Sequence, residues 1–102
     1  MNPKVAIIIA NYNYENYVIK AINSALNQTY NGDLRIYVVD DGSSDSSWEK
    51  ISEITEPQVK IYMEEPYYKG RIEHRQSKNI FAYKINNSGA STARNVAMWQ
   101  AM

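Results

Sequence analysis

The chain has 102 residues, and its eleven basic and eleven acidic side chains cancel to a formal net charge of zero. That length holds one domain, small for an α/β sheet protein. The balance of charge leaves no basic footprint for nucleic acid. The absence of cysteine removes disulfide and thiolate chemistry. The single histidine, His74, cannot build a multi-histidine metal site. The longest apolar run, Val5 to Ala10, is far short of the roughly 20 residues that span a bilayer. Lys4 precedes no signal-peptide core or small-residue cleavage pattern, so the chain reads as cytoplasmic, with any peripheral membrane attachment left to other regions. Tyrosine is frequent, nine against one phenylalanine. Its flat apolar face and polar tip suit stacking on a base or a sugar, although surface and half-buried packing is expected for most of the nine.

In chain order, Val5 to Ala10 is a continuous, β-branched run and reads as a central parallel strand buried on both faces. From Glu15 to about Gln28, the residues Tyr17, Val18, Ala21, Ile22, Ala25 and Leu26 recur at helical spacing, with Asn13 as the N-cap. Tyr30 to Asp33 is a turn and Leu34 to Val39 a second strand. Ser44, Asp45 and Ser46 then offer N-cap side chains, and Ser46 with Glu49 has capping-box spacing. A helix from about Ser47 to Ile54 follows, with Trp48, Ile51 and Ile54 on one face and Pro57 as its stop. Val59 to Met63 alternates like a strand, and Ile80 to Ile85 is another candidate. Between them, 64–79 is polar and aperiodic and reads as an inserted loop, with His74 solvated. Asn86 to Gly89 turns the chain into a helix from Ala90 to Met102, packed on the sheet through Ala93, Val96, Ala97, Trp99 and Met102. The fold class is α/β, with short connections between parallel strands.

The chemistry gathers at strand ends. The segment from Leu34 to Ser47 runs a buried strand into the adjacent carboxylates Asp40 and Asp41, then Gly42 and a cluster of hydroxyls. Two neighbouring carboxylates repel, so at least one needs a hydrogen-bond donor or a ligand as partner. The turns at Ala10–Asn13, Asp40–Ser43 and Asn86–Ser91 emerge on one edge of a parallel sheet and would build one pocket there. In it Tyr12 can stack on a base, and Asp41 can accept a hydrogen bond from a base N–H or a ribose hydroxyl. Arg94, one turn into the last helix, can balance the aspartates or hold a phosphate.

Four blocks, VAIIIANYN from Val5, ALNQTY from Ala25, VVDDGSSD from Val38 and NSGASTARN from Asn87, resemble in order the N-terminal half of a family 2 glycosyltransferase. The resemblance implies a Rossmann-like glycosyltransferase-A fold that binds a nucleotide-sugar donor, most simply a UDP-sugar, and passes the sugar to an acceptor hydroxyl with inversion. It makes 1–102 the nucleotide-sugar-binding part. It implies that Ala10, Tyr12 and Asn13 line the nucleotide, that Asp41 bonds the base beside Gly42 and Ser43, that Asp40 is structural, and that Arg94 lies close to the donor. Arg71 and Arg75 are further candidates for the donor phosphates.

The sequence departs from that family in two ways. No proline precedes Asn11–Tyr12, and the family's Asp-x-Asp metal site, which would hold Mn or Mg, follows the block ending at Asn95 and has no counterpart here. The metal, the catalytic base and the carbohydrate or lipid-linked acceptor therefore belong to the complete enzyme. The alternative is a nucleotide-binding module without catalysis. A receiver-type signalling domain fits poorly, because its acidic pair follows the first strand. A half-sheet exposes an edge, so self-association that covers it is also expected.

Overall fold

In a computed structural model, which describes residues 4–28, 32–64 and 68–102, the chain runs β1 (Val5–Asn11), α1 (Val18–Leu26), β2 (Leu34–Asp41), α2 (Ser47–Glu53), β3 (Glu56–Pro57), β4 (Ile61–Met63), β5 (Gly70–Ser77), β6 (Ile80–Ile85) and α3 (Ala90–Ala101). Tyr30 and Asn31 of the turn expected at Tyr30–Asp33, and the polar residues 65–67, lie outside the described residues. The sheet order is β1-β2-β6-β5-β3. β1, β2 and β6 are parallel, which brings Asn11, Asp41 and Ile85 to one edge. The α/β class and the common edge for the three turns are as expected.

β2 is the spine. Side chains alternate across a strand, so Ile36 and Val38 face α1 and α2 while Tyr37 and Val39 face α3. On the first face Val18, Ile22 and Ala25 of α1 and Trp48 and Ile51 of α2 complete one core. On the second, Ala93, Val96 and Ala97 of α3 lie against Tyr83, Ile85 and Ile72. Fully burying each Ile or Val is worth roughly 1.5–3 kcal/mol, so two faces buried along one strand anchor the fold.

β1 is not central. It stands at the end of the sheet, paired with β2 on one side only among the described residues. Its apolar run arises because Ile7 and Ile9 pack toward one core and Ile8 toward the other, so an edge strand sandwiched between helix layers looks like an interior one. The helices are also narrower than their apolar patterns. Tyr17, Ala21 and Leu26 of the α1 pattern are exposed, as are Trp99 and Met102 at the end of α3.

The largest correction concerns 64–79, expected as a loop. Gly70–Ser77 is a strand, antiparallel to β6 through pairs such as Glu73↔Lys84 and His74↔Tyr83. Its outer edge takes β3 at Glu56↔Gln76 and β4 at Ile61↔Ile72. The strand hides in sequence because polar side chains fasten it. Trp48 Nε1 donates to Glu73 Oε2 at 2.8 Å, which docks α2 on the strand. Arg75 donates from Nε to Thr55 Oγ1 at 3.1 Å, and from Nη2 to the carbonyls of Ser52 (3.0 Å) and Thr55 (2.6 Å), so it closes the open C-terminal end of α2. His74 is half-buried, its ring stacked on Tyr83 at 4.7 Å and 12°. His74 Nε2 is shielded from water and has no hydrogen-bond partner.

Two outcomes follow. Arg75→Met should lower unfolding stability by about 1.5–3 kcal/mol, the range for charge-assisted bonds, in urea titrations. An unchanged midpoint would show that the guanidinium does not hold α2. Burial lowers the His74 pKa below its ordinary value. Protonation therefore favours the unfolded chain, and the native state loses stability as pH falls below about 6.5. Between pH 7.5 and pH 5 the parent should lose more stability than His74→Phe; parallel losses would contradict this.

Candidate functional site

Adjacent residues on a strand point to opposite faces, and this separates the two aspartates. Asp40 is fully buried. Its Oδ1 accepts from Asn11 Nδ2 (2.9 Å) and Ser43 Oγ (2.7 Å), and its Oδ2 from the Ser43 N–H (3.0 Å). Asp40 thus ties the end of β1 to the turn after β2. Asp41 faces the other way. Its Oδ1 accepts from the Ser88 N–H at 2.7 Å and its Oδ2 from the Gly89 N–H at 2.9 Å. Asn87 Nδ2 donates to the Asp41 carbonyl at 3.1 Å. Asp41 therefore fixes the turn that starts α3. The partner required by the acidic pair is in both cases supplied by the protein, and each Asp41 oxygen keeps a further lone pair.

Gly42 lets these turns meet. Its φ is +66°, and a Cβ there would lie 2.6 Å from the Asn87 nitrogen, so both backbone conformation and space demand glycine. Asn13 is not the N-cap of α1, whose first residues carry no side-chain cap. With φ at 55° it folds over the second turn instead. Its Oδ1 accepts the Ser44 N–H (2.8 Å) and the Asp45 N–H (3.2 Å), and its own N–H donates to Ser43 Oγ at 2.9 Å. Ser46 makes no side-chain cap for α2. Asp45 does that work, accepting from the Ser47 N–H at 2.9 Å and from the Glu15 N–H at 3.0 Å. Desolvation pushes the Asp45 carboxyl up, but its hydrogen bonds with Ser47 and Glu15 outweigh this and hold it below the usual carboxylate range.

Above this bonded floor lies a cavity of about 310 Å³, lined by Ala10, Asn11, Tyr12, Tyr14, Asp41, Asn87, Gly89, Ala90 and Ala93. Its character is mixed: tyrosine rings at the rim, one oriented carboxylate, and alanines where α3 begins. Tyr12 is 47% exposed and so open to a planar partner. Of the residues expected at the site, Ala10, Tyr12 and Asp41 line this cavity. Asn13, Gly42 and Ser43 form its support. Arg94 is exposed, bonds Ser91 Oγ at 3.4 Å, and neither lines the cavity nor pairs with an aspartate. Arg71 lines a separate cleft, and Arg75 is spent on α2. Tyr14, Ala90 and Ala93 are lining residues that the sequence did not signal. The Asn86–Ser91 turn pointed to Asn87 and Gly89, but nothing marks an alanine as a wall until the helix is seen beside the strand ends.

Among the described residues, no group of three or more His, Cys, Asp or Glu could hold a metal ion. Asp40 and Asp41 diverge and are occupied by N–H and O–H donors, so the pair does not fit a divalent cation. Among the described residues, no helix is long and apolar enough to cross a membrane.

Comparison with known proteins places the chain in a family. The sequence profile described as "Glycosyl transferase family 2" matches residues 6–101. The chain is 33% identical over 98 residues to Glycosyltransferase GlyA of Streptococcus pneumoniae, covering 96% of this chain and 11% of that protein. It is 36% identical over 95 residues to the minor teichoic acid biosynthesis protein GgaA of Bacillus subtilis, covering 91% of this chain and 17% of that protein. It is 38% identical over 66 residues to the Escherichia coli UDP-Glc:alpha-D-GlcNAc-diphosphoundecaprenol beta-1,3-glucosyltransferase WfaP, covering 65% of this chain and 26% of that protein. The chain thus spans a small part of the length of these relatives. No solved structure matches significantly. With the match running from β1 to the end of α3, the chain belongs to glycosyltransferase family 2.

Proposed function

We propose that this chain is the donor-binding part of a glycosyltransferase, and that the cavity between Tyr12 and Asp41 receives the nucleoside of a nucleotide diphosphate sugar. The observation that carries the reading is the conjunction, in one cavity at the strand ends, of an exposed aromatic ring and a carboxylate held by two backbone amides. Tyr12 stacks on the base, a contact worth about 1–3 kcal/mol. A remaining Asp41 lone pair accepts a base N–H, as the imide of uracil offers. The donor named for WfaP, UDP-Glc, favours uridine. Ala90 and Ala93 leave room for the ribose; Arg94, next in the helix and bonded to Ser91, would have to turn from that contact to meet the phosphates.

In the whole enzyme an acceptor hydroxyl of a carbohydrate or a lipid-linked sugar gives its proton to a carboxylate base and attacks the anomeric carbon. The bond to the diphosphate breaks with inversion, and the nucleoside diphosphate leaves. A divalent cation, Mn or Mg, would offset the charge of that leaving group when bound. The described residues offer it no ligand cluster, so this chain's part is to seat and orient the nucleoside. A second reading is a binding module without turnover; the commitment of both aspartates to protein donors favours it for this chain alone. The open edge of β1 is the surface we assign to self-association.

Calorimetric titration with uridine and with UDP tests the pocket. Both should bind, with and without manganese, and Tyr12→Ala should weaken both about tenfold. Absence of binding, or a Tyr12→Ala chain indistinguishable from its parent, would remove the nucleoside assignment. Light scattering at rising concentration should show a dimer; a clean monomer throughout would count against pairing at the β1 edge.

A further inference from the structure

A cleft of about 180 Å³, which shares no lining residue with the nucleoside cavity, is lined by Lys60, Arg71, Glu73, Lys84, Ile85 and Asn86. Three of its six lining residues are cations, in a chain whose net charge is zero. Glu73 and Lys84 stand opposite each other in the β5–β6 ladder, the position where unlike charges ordinarily pair. They form no ion pair. The Glu73 carboxylate accepts from Trp48 Nε1 at 2.8 Å instead. Among the described residues, the ion pairs are Arg35–Asp33 and Lys50–Glu15, so Lys60, Arg71 and Lys84 have none. Lys84 is half-buried, and with the Glu73 carboxylate turned to Trp48 its ammonium makes no direct ion pair. Lys60 precedes β4, Arg71 lies on β5 and Lys84 on β6, and all three line this one cleft, where the arginine fork suits tetrahedral oxyanions.

We propose that this cleft is an anion subsite, distinct from the nucleoside cavity, that binds a phosphate group. Arg71 supplies two N–H donors to the phosphate oxygens, and Lys60 and Lys84 supply charge from either side. Two sources fit that chemistry: a free phosphate-bearing small molecule, or a phosphate carried on a polyanionic acceptor. The proposal does not depend on what the nucleoside cavity binds.

The test is a titration of the full chain with inorganic phosphate at constant ionic strength, read by backbone amide chemical shifts. Saturable shifts are expected at Lys60, Arg71, Lys84 and Asn86. Arg71→Gln and Lys84→Gln should each weaken the affinity about tenfold, while the remote Lys78→Gln leaves it unchanged. Shifts that never saturate, or an equal loss in Lys78→Gln, would overturn the site. Saturation with uridine should leave phosphate binding intact, which holds even if uridine fails to bind. If UDP displaces phosphate from these residues while uridine does not, the cleft is the donor's own phosphate seat and the separate subsite falls. A phosphate-containing glycan that binds at least tenfold more tightly than free phosphate identifies the acceptor as the source. Equal affinity identifies the small molecule.

Discussion

The architecture at the strand ends depends on the alternation of side chains along β2. Asp40 and Asp41 are neighbours in sequence, yet they act on opposite faces of the sheet. One binds back to β1 through Asn11 and Ser43, and the other binds forward to α3 through the amides of Ser88 and Gly89. Divergence relieves their mutual repulsion, and each carboxylate repays its own burial with hydrogen bonds. Three chain segments that would otherwise be loose loops are joined to one strand. That strand is in turn fixed by core on both faces, so the rigidity of the interior is carried out to the pocket.

Much of this was legible in sequence. β2, β6 and the three turns could be read from continuous apolar runs that stop at Asp, Asn and Gly, since such runs have few alternatives to buried strands. The partners of the aspartates could be required but not named, because Ser88 and Gly89 contribute only backbone amides, which any residue carries. Local spacing favours Asn13 as a cap for the helix that follows it. Its carbonyl oxygen instead serves Ser44 and Asp45, roughly thirty residues away. That choice depends on the parallel register of β1 with β2, which no local pattern encodes.

β5 was illegible for a different reason. A strand is recognised by apolar alternation, and here only Ile72 of the inward row is aliphatic, followed by His74 and Gln76. The other row, Glu73 and Arg75, binds to α2 through specific polar bonds that replace the usual apolar face. The composition that makes the segment look solvated is what fastens it. The same reasoning explains why Arg71 and Arg75 were grouped together in sequence and are separated in space. They share a row of one strand, but Arg75 lies against the end of α2 while Arg71 lies nearer the open strand ends.

This division of labour bears on how the pocket would hold a nucleoside. The residues that touch the cavity divide in two: the tyrosine rings and three alanines leave their surfaces open to it, while Asn11, Asp41 and Asn87 also bond within the floor. Those beneath it are saturated with hydrogen bonds among themselves. A ligand entering such a site need not order its loops, so little of the contact energy is lost to conformational entropy. The positive φ of Gly42 and its close approach to Asn87 are part of the same economy, since they let two turns share one floor without a side chain between them. The tyrosine rings and alanines thus face the cavity on turns that are held by bonds which cannot change without moving the strand ends themselves, and Asp41 takes part in both.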